Sequence, residues 1–351
     1  MVNESKGKFF RRTVCDVVLV HKAHPLPEIV QLKAIENIDE ATFTRTISAF
    51  LHRMGIEALL HGNVDAKDAE KTKKQILDLV EASVPAGGGG LARKKFPAHP
   101  VTKVPLSDDI PKVIIPAKDV TDPNTAVELY IQIGKDNIED RVMADLLAEM
   151  MYEPLYDLVR TKDQFGYQVS CDSRWTNGVV GIYFKIVTSS KSADAATNRL
   201  EQFLREYRKD LAKMSNETFM AQLAGLAKQK LVPHHSLSDE TNHLWSEIRD
   251  GRLDWQSDRN EVLALRNITR DMTLKAFDEW LYPGEESNGQ KKNKRRIMVI
   301  EVISGDGGDG DSPSSEGRPQ IDDPEKIGDY IDSMVNEYYK ACKHQTWGKI
   351  Y

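Results

Sequence analysis

Apolar residues recur along the chain with two periods, one typical of amphipathic helices and one typical of strands. Before residue 85, an apolar stripe with helical spacing follows Asp39, a predicted N-cap; it is formed by Phe43, Ile47, Phe50, Leu51 and Met54. A short apolar run at 56–60 then predicts a strand, and residues 66–83 predict a polar helix with one apolar face. One strand between two helices is too little sheet to be stable alone, so we expect this region to be part of an incomplete domain.

The periodic patterns of apolar residues are clearer after residue 100. Between residues 127 and 133, apolar residues alternate with polar ones, which predicts a strand with one face on a core and the other toward solvent. A long helix is predicted from about Ile138. Pro154 should bend or end this helix before a further turn that reaches Arg160.

A β-hairpin is predicted next. The runs at 167–175 and 179–188 flank Asn177 and Gly178, a pair that readily takes the positive φ angles of a tight turn. Three helical patterns follow, and a last apolar run predicts a late strand; these segments are 193–214, 215–231 with Ser215 as N-cap, 237–249, and 296–303. This order predicts an α+β fold in which helices cover one face of a largely antiparallel sheet.

Two stretches of biased composition divide the chain. Residues 85–100 are rich in glycine and proline and predict a linker, and the acidic Gly/Asp/Ser stretch at about 304–320 predicts a disordered insertion. The aspartates of that insertion miss the ligand spacing of a calcium-binding EF-hand loop. We therefore expect an incomplete domain over 1–84, the linker, and a second domain over 101–351.

Composition and charge exclude several classes of protein. The 351 residues are 40% hydrophobic and 29% charged, which is ordinary for a folded water-soluble protein. A formal charge of -6 argues against a general nucleic-acid binder, and we interpret the basic run at 291–296 as a solvated flank of the last strand. No run approaches the roughly 20 apolar residues that a membrane helix needs. Without a secretory pattern, the cytoplasm is the expected location.

Cysteine and histidine do not form a recognisable metal site. The three cysteines are far apart in the sequence, and Cys171 is expected to be a small core residue of a strand. No pair of histidines forms HxxEH or HExxH. The nearest arrangement is His21 and His24 with Glu28, but two intervening prolines break the helix that would align these ligands. We therefore predict no metal bound by this chain.

The segment from Arg160 to Tyr167 offers the best candidate chemistry. A helix ending in Arg160, a short loop and a strand beginning at Tyr167 would bring a guanidinium and a phenol together at the end of a sheet. Both groups donate hydrogen bonds, so they could hold a peptide carbonyl or a developing oxyanion. From periodicity alone, an arginine that caps the helix beside a core tyrosine is the better explanation of the pattern.

A family resemblance bears on the choice between these two interpretations of Arg160 and Tyr167. Residues 158–169 resemble the signature of the C-terminal half of the insulysin branch of the M16 (pitrilysin-like, inverzincin) zinc metalloendopeptidases. Residues 56–63, 175–178, 219–231 and 244–248 resemble further blocks of that half in order and spacing. The resemblance covers roughly residues 38–303. It implies that 1–84 is the end of the third M16-like domain and that 101–351 is the fourth.

The family folds as two halves, each of two α+β domains, that close around a chamber, and only the first half carries HxxEH and zinc. The resemblance implies that Arg160 and Tyr167 bind the scissile carbonyl and stabilise the tetrahedral intermediate. It also implies that Gly166 lets the loop approach the substrate backbone, and that Tyr156 contacts substrate.

The expected partners are therefore peptide substrates and an N-terminal half that supplies zinc. Apolar faces meant for that half would favour a homo-oligomer in its absence. We expect no nucleic-acid or membrane partner and no peptide cleavage by this chain alone. The alternative function is a non-catalytic M16-like scaffold or peptide-binding protein.

Overall fold

A computed structural model describes residues 35–51, 56–83, 101–106, 110–116, 122–284, 293–303 and 338–339. These residues form two compact units. Unit 1 holds the described residues within 99–232 and 256–341, and unit 2 holds those within 26–98 and 233–255. The predicted linker at 85–100 and the acidic insertion at 304–320 lie outside the described residues, so the predicted domain boundary stays a prediction.

The helices and strands follow the predicted order, with several additions and without the strand predicted at 56–60. The helices are α1 (Glu40–Leu51), α2 (Ala66–Ser83), α3 (Ile138–Tyr156), α4 (Ala193–Lys213), α5 (Asn216–Lys230), α6 (Leu237–Arg249), α7 (Ser257–Leu265) and α8 (Arg270–Trp280). The strands are β1 (Val101–Thr102), β2 (Lys112–Pro116), β3 (Thr125–Lys135), β4 (Gln168–Thr176), β5 (Val179–Thr188), β6 (Ile297–Ile303) and β7 (Tyr338–Tyr339). A π-helix, Asp157–Lys162, continues α3. The sequence patterns did not single out β2, α7 or α8.

Unit 1 is built on a five-stranded sheet with the strand order β2-β6-β3-β5-β4. Only β2 and β6 pair in parallel within this sheet, and the remaining neighbours are antiparallel. The predicted α+β fold with a largely antiparallel sheet is confirmed. The hairpin turn is confirmed too, because Asn177 and Gly178 have φ values of 44° and 82°.

Helices pack on one face of the sheet. Leu129, Ile131 and Phe184 from the sheet lie in one buried cluster with apolar side chains of α3, α4 and α8, such as Leu147 and Phe277. Burial of these side chains is the main source of stability for the unit.

The opposite face of β3 differs from the prediction. Glu128, Tyr130 and Gln132 were expected to face solvent, but all three are at most 3% exposed. The side-chain amide of Gln132 donates to the carbonyl oxygen of Thr102 and accepts from the amide of Val104, each at 2.9 Å. These bonds satisfy a polar side chain away from water, which is why alternation of polar and apolar residues misled the prediction.

The end of α3 shows how Pro154 is accommodated. Proline has no N–H, so the carbonyl of Met150 loses its usual partner four residues on. The buried hydroxyl of Tyr207 donates to that carbonyl at 3.0 Å. The chain then continues as the π-helix to Lys162, which places Arg160 just before the loop leading to β4.

Unit 2 contains α1, α2 and α6. The N-cap prediction for α1 is confirmed, because Asp39 accepts from the amide of Thr42 at 2.7 Å. The strand predicted at 56–60 is wrong: this segment is irregular, and Ile56 is 48% exposed. It has no described strand beside it to complete a ladder.

Candidate functional site

The loop between the π-helix and β4 is tied to the π-helix by two backbone hydrogen bonds. The amide of Asp163 donates to the carbonyl of Leu158 at 2.9 Å, and the amide of Phe165 donates to that of Val159 at 2.8 Å. Gln164 between them has a φ of 50°, an uncommon value for a residue with a side chain. The loop is therefore held in a tight, defined conformation.

Gly166 packs directly on the neighbouring strand. A Cβ atom at this position would lie 2.2 Å from the carbonyl oxygen of Val187 in β5. Only glycine allows this approach. The close contact is with the sheet itself, whereas the prediction gave Gly166 a role in approach to substrate; that role stays a prediction.

Arg160 and Tyr167 lie together, as the sequence predicted. The Nη1 of Arg160 donates to the backbone carbonyl of Tyr167 at 2.6 Å. The Tyr167 side chain is 55% exposed, so it is not the core tyrosine of the alternative interpretation. Its phenol faces water as a hydrogen-bond donor that a ligand can reach.

Tyr156 joins the same group of side chains. The Arg160 guanidinium carbon lies 5.1 Å from the centroid of the Tyr156 ring, within the range of a cation–π contact. The four predicted site residues, including Gly166, therefore form one contiguous set. The ring of Tyr156 and the carbonyl of Tyr167 both orient the guanidinium.

A shallow depression of about 270 Å³ lies beside this set. It is lined by Arg160, Gln164, Phe165, Gly166, Tyr167, Ser189 and Ser190. The two serines follow β5 and were missed by the sequence analysis, although their run of small polar residues is typical of a turn. They add two hydroxyl-bearing residues to the lining of the depression.

A network of buried charges braces the helix that carries the site. Lys230 of α5 donates to Asp145 of α3 at 2.6 Å and to Glu261 of α7 at 2.7 Å. Arg141 of α3 donates to the same Glu261 at 3.0 Å and also pairs with Asp136. Glu261 lies in α7, a helix that the sequence patterns missed. Lys230 lies in α5, a helix that was predicted but was given no role in the site.

In this network, the pKa of the acid Glu261 is lowered and the pKa of the base Lys230 is raised relative to their ordinary values, as expected for paired charges. Burial by itself would raise the pKa of Glu261, but the charges of Lys230 and Arg141 outweigh burial and hold that pKa below its ordinary value. Burial would likewise lower the pKa of Lys230, but Asp145 and Glu261 raise it. Each charge is therefore retained through its partners rather than lost by neutralisation.

The other candidates from the sequence have simpler roles where they are described. Cys171 is a core residue, 4% exposed, as predicted. Arg295 is not part of a solvated flank: it is 5% exposed, and its Nη2 lies 2.7 and 2.9 Å from the carboxylate oxygens of Glu201. Burial of this ion pair corrects the interpretation of the basic run. His21, His24 and Glu28 lie outside the described residues.

Comparisons with known proteins match the segment that carries the site. The family described as "PQQ synthase PqqF-like, C-terminal lobe domain 4" matches residues 146–245. "Insulin-degrading enzyme" of Homo sapiens is 28% identical over 250 residues, 70% of this chain and 24% of that protein. "Insulin-degrading enzyme-like 1, peroxisomal" of Arabidopsis thaliana is 26% identical over 273 residues, 77% of this chain and 28% of that protein.

In sequence, this chain is similar to M16 peptidases such as insulin-degrading enzyme. It corresponds to part of their C-terminal half and spans about a quarter of the length of these relatives. The fold agrees, because the crystal structure of pitrilysin superposes with a TM-score of 0.70 at 14% identity, covering 96% of this chain and 33% of that one. In the described residues of this chain, no helix is both long and apolar enough to cross a membrane.

Proposed function

We propose that this chain is the zinc-free C-terminal part of a metalloendopeptidase that degrades peptides. In this proposal it forms the wall of the chamber that grips the substrate. Zinc is supplied by an N-terminal half, and zinc there would polarise the scissile carbonyl and activate a water. The proposed location of the complex is the cytoplasm.

The observation that carries the proposal is the placement of two donors beside one depression. Arg160 is oriented by its 2.6 Å bond to the carbonyl of Tyr167, and Tyr167 is 55% exposed and lines the same depression. A donor that is already oriented, as Arg160 is, stabilises a developing oxyanion with little reorganisation during the reaction. Both residues fall inside the span, 146–245, that matches an M16-type C-terminal lobe domain.

The two donors would have different tasks. A guanidinium remains charged at every working pH and attracts the carbonyl oxygen from the ground state onward. A phenol is neutral and contributes most when negative charge develops on that oxygen. Arg160 would therefore hold the peptide, and Tyr167 would favour the tetrahedral intermediate.

Peptide binding by the purified chain tests the first part of the proposal. A fluorescently labelled extended peptide is titrated with wild type, with Arg160→Ala, and with the matched control Arg266→Ala, which removes another exposed arginine of unit 1. The proposal expects weaker binding only for Arg160→Ala. Equal affinity in all three proteins would remove Arg160 from the site.

Cleavage of a quenched fluorescent peptide tests the second part. The chain is assayed alone and together with a zinc-bearing N-terminal M16 half, with zinc and with chelator. The proposal expects chelator-sensitive cleavage only in the combination. Peptide binding without cleavage in any combination would instead support the scaffold or peptide-binding alternative.

A further inference from the structure

Tyr152 extends the candidate site along α3. Its ring stacks on the ring of Tyr156, with centroids 6.2 Å apart and an angle of 27° between the ring planes. Tyr156 in turn lies under the guanidinium of Arg160 at 5.1 Å. Tyr152, Tyr156 and Arg160 are spaced four residues apart, so successive turns of the helix present them on one side.

The outer end of this stack is accessible. The Tyr152 side chain is 46% exposed, whereas its neighbours Met151 and Leu155 are at most 1% exposed in the core. A large ring held on the surface by a second ring presents apolar area in a fixed orientation, which loses little entropy when a ligand contacts it. The stack is continuous, through Arg160, with the carbonyl of Tyr167 and the depression beside it.

We infer that Tyr152 and Tyr156 form a tyrosine shelf that binds an aromatic side chain of the peptide held by Arg160 and Tyr167. The inference rests on the proposed function and adds a specificity determinant to it. Eight residues of helix separate Tyr152 from Arg160, about 12 Å at about 1.5 Å per residue. An extended peptide advances about 3.4 Å per residue, so the aromatic residue lies roughly three to four positions from the gripped carbonyl.

An aromatic ring fits the shelf because Tyr152 and Tyr156 are already a stacked pair, with 27° between their planes, that another ring can prolong. The same face of α3 also carries the exposed carboxylates of Glu149 and Glu153. Attraction of a basic side chain to these exposed charges would be screened by salt, whereas stacking would not. Binding measured at low and high ionic strength therefore distinguishes recognition of a basic side chain from stacking of an aromatic side chain.

The test measures binding of heptapeptides to the full 351-residue chain by fluorescence anisotropy at low and high salt. The peptides share one sequence and carry phenylalanine, cyclohexylalanine, lysine or alanine near one end. Cyclohexylalanine matches phenylalanine in size without its π system. The proteins are wild type, Tyr152→Ala, the conservative Tyr152→Phe, and Met220→Ala, which truncates an exposed apolar side chain elsewhere in unit 1.

The shelf predicts that wild type binds the phenylalanine peptide about three- to tenfold more tightly than the cyclohexylalanine peptide at both salt concentrations. Tyr152→Ala loses this preference, while Tyr152→Phe and Met220→Ala keep it. A preference for lysine that disappears in high salt would overturn the inference. Equal binding of all four peptides would also overturn it and leave the proposed function standing, whereas failure of every peptide to bind would reject both.

Discussion

The Arg160 guanidinium donates a 2.6 Å hydrogen bond to the backbone carbonyl of Tyr167, so the end of the helical segment is tied to the residue just before β4. This bond leaves the Tyr167 phenol exposed while fixing the backbone that carries it. Two donors separated by seven residues in the sequence thereby become one site. Because the acceptor is a backbone carbonyl, a side-chain change at Tyr167 leaves this bond in place, whereas a change at Arg160 removes it.

Removal of the Tyr167 hydroxyl tests transition-state stabilisation. In a full-length protein that contains the zinc half, Tyr167→Phe should lower kcat by about a hundredfold and change KM much less, because its donor matters most to developing charge. Steady-state kinetics on one peptide measure both quantities. An unchanged kcat would exclude Tyr167 from the reaction, and unchanged circular dichroism serves as the control for folding.

Gly166→Ala tests the close approach of the loop to β5. The added Cβ would meet the Val187 carbonyl oxygen at 2.2 Å, so we expect a loss of about 1–3 kcal/mol in the free energy of unfolding. Gly225→Ala is the matched control, since a Cβ there meets nothing within 4 Å and alanine favours helix α5. Urea denaturation should show the first variant below wild type and the second at or above it. The reverse order would refute the packing argument.

The charge network predicts how stability depends on pH. The folded-state pKa of Glu261 is held below its ordinary value of 4.5, so Glu261 adds stability above that pH, and this contribution is lost as pH falls through the folded-state pKa. Glu261→Gln should cost about 2 kcal/mol at neutral pH, because Lys230 and Arg141 lose a shared partner. The variant should also lose less stability than wild type as the pH falls below 4.5.

Urea denaturation at a series of pH values measures this effect. The exposed residue Glu279 provides the control variant Glu279→Gln, which should follow the wild-type curve. If Glu261→Gln and wild type lose stability in parallel as the solution is acidified, the shift of the Glu261 pKa does not contribute to the pH dependence of stability.

Cys171 should be unreactive in the folded protein. Burial, followed by the negative charge of Asp172, raises the pKa of its thiol well above the ordinary value, and the thiolate is the species that reacts. Iodoacetamide labelling followed by peptide mass spectrometry should therefore modify Cys171 only after unfolding. Labelling of Cys171 in native protein at the rate seen in urea would show that the core around β4 opens readily.

The apolar stripe of α1 predicts self-association. Phe43, Ile47 and Phe50 are 41–60% exposed on one face of α1, and contiguous exposed apolar side chains favour association. Sedimentation at increasing concentration should show oligomers of the purified chain, and Phe50→Ser should shift the equilibrium toward monomer. A strictly monomeric wild type would contradict the predicted homo-oligomer.

Local signals in the sequence determined most of the helices, the hairpin and the α+β class. The positive φ values at Asn177 and Gly178 and the N-caps at Asp39 and Ser215 depend on neighbouring residues only, so local patterns were sufficient to predict them. The residue signature at 158–169 likewise located Arg160 and Tyr167 before any distance was known.

Only the tertiary structure decided which polar residues are buried and which helices are braced. Gln132 and Arg295 look like surface residues in the sequence, yet both are buried; Val104, 28 positions away, donates to Gln132, and Glu201, 94 positions away, accepts from Arg295. The network around Glu261 and the contact of Gly166 with Val187 likewise join distant segments. Hydrogen bonds and close packing between such segments depend on three-dimensional position, which the periodicity of a single chain does not encode.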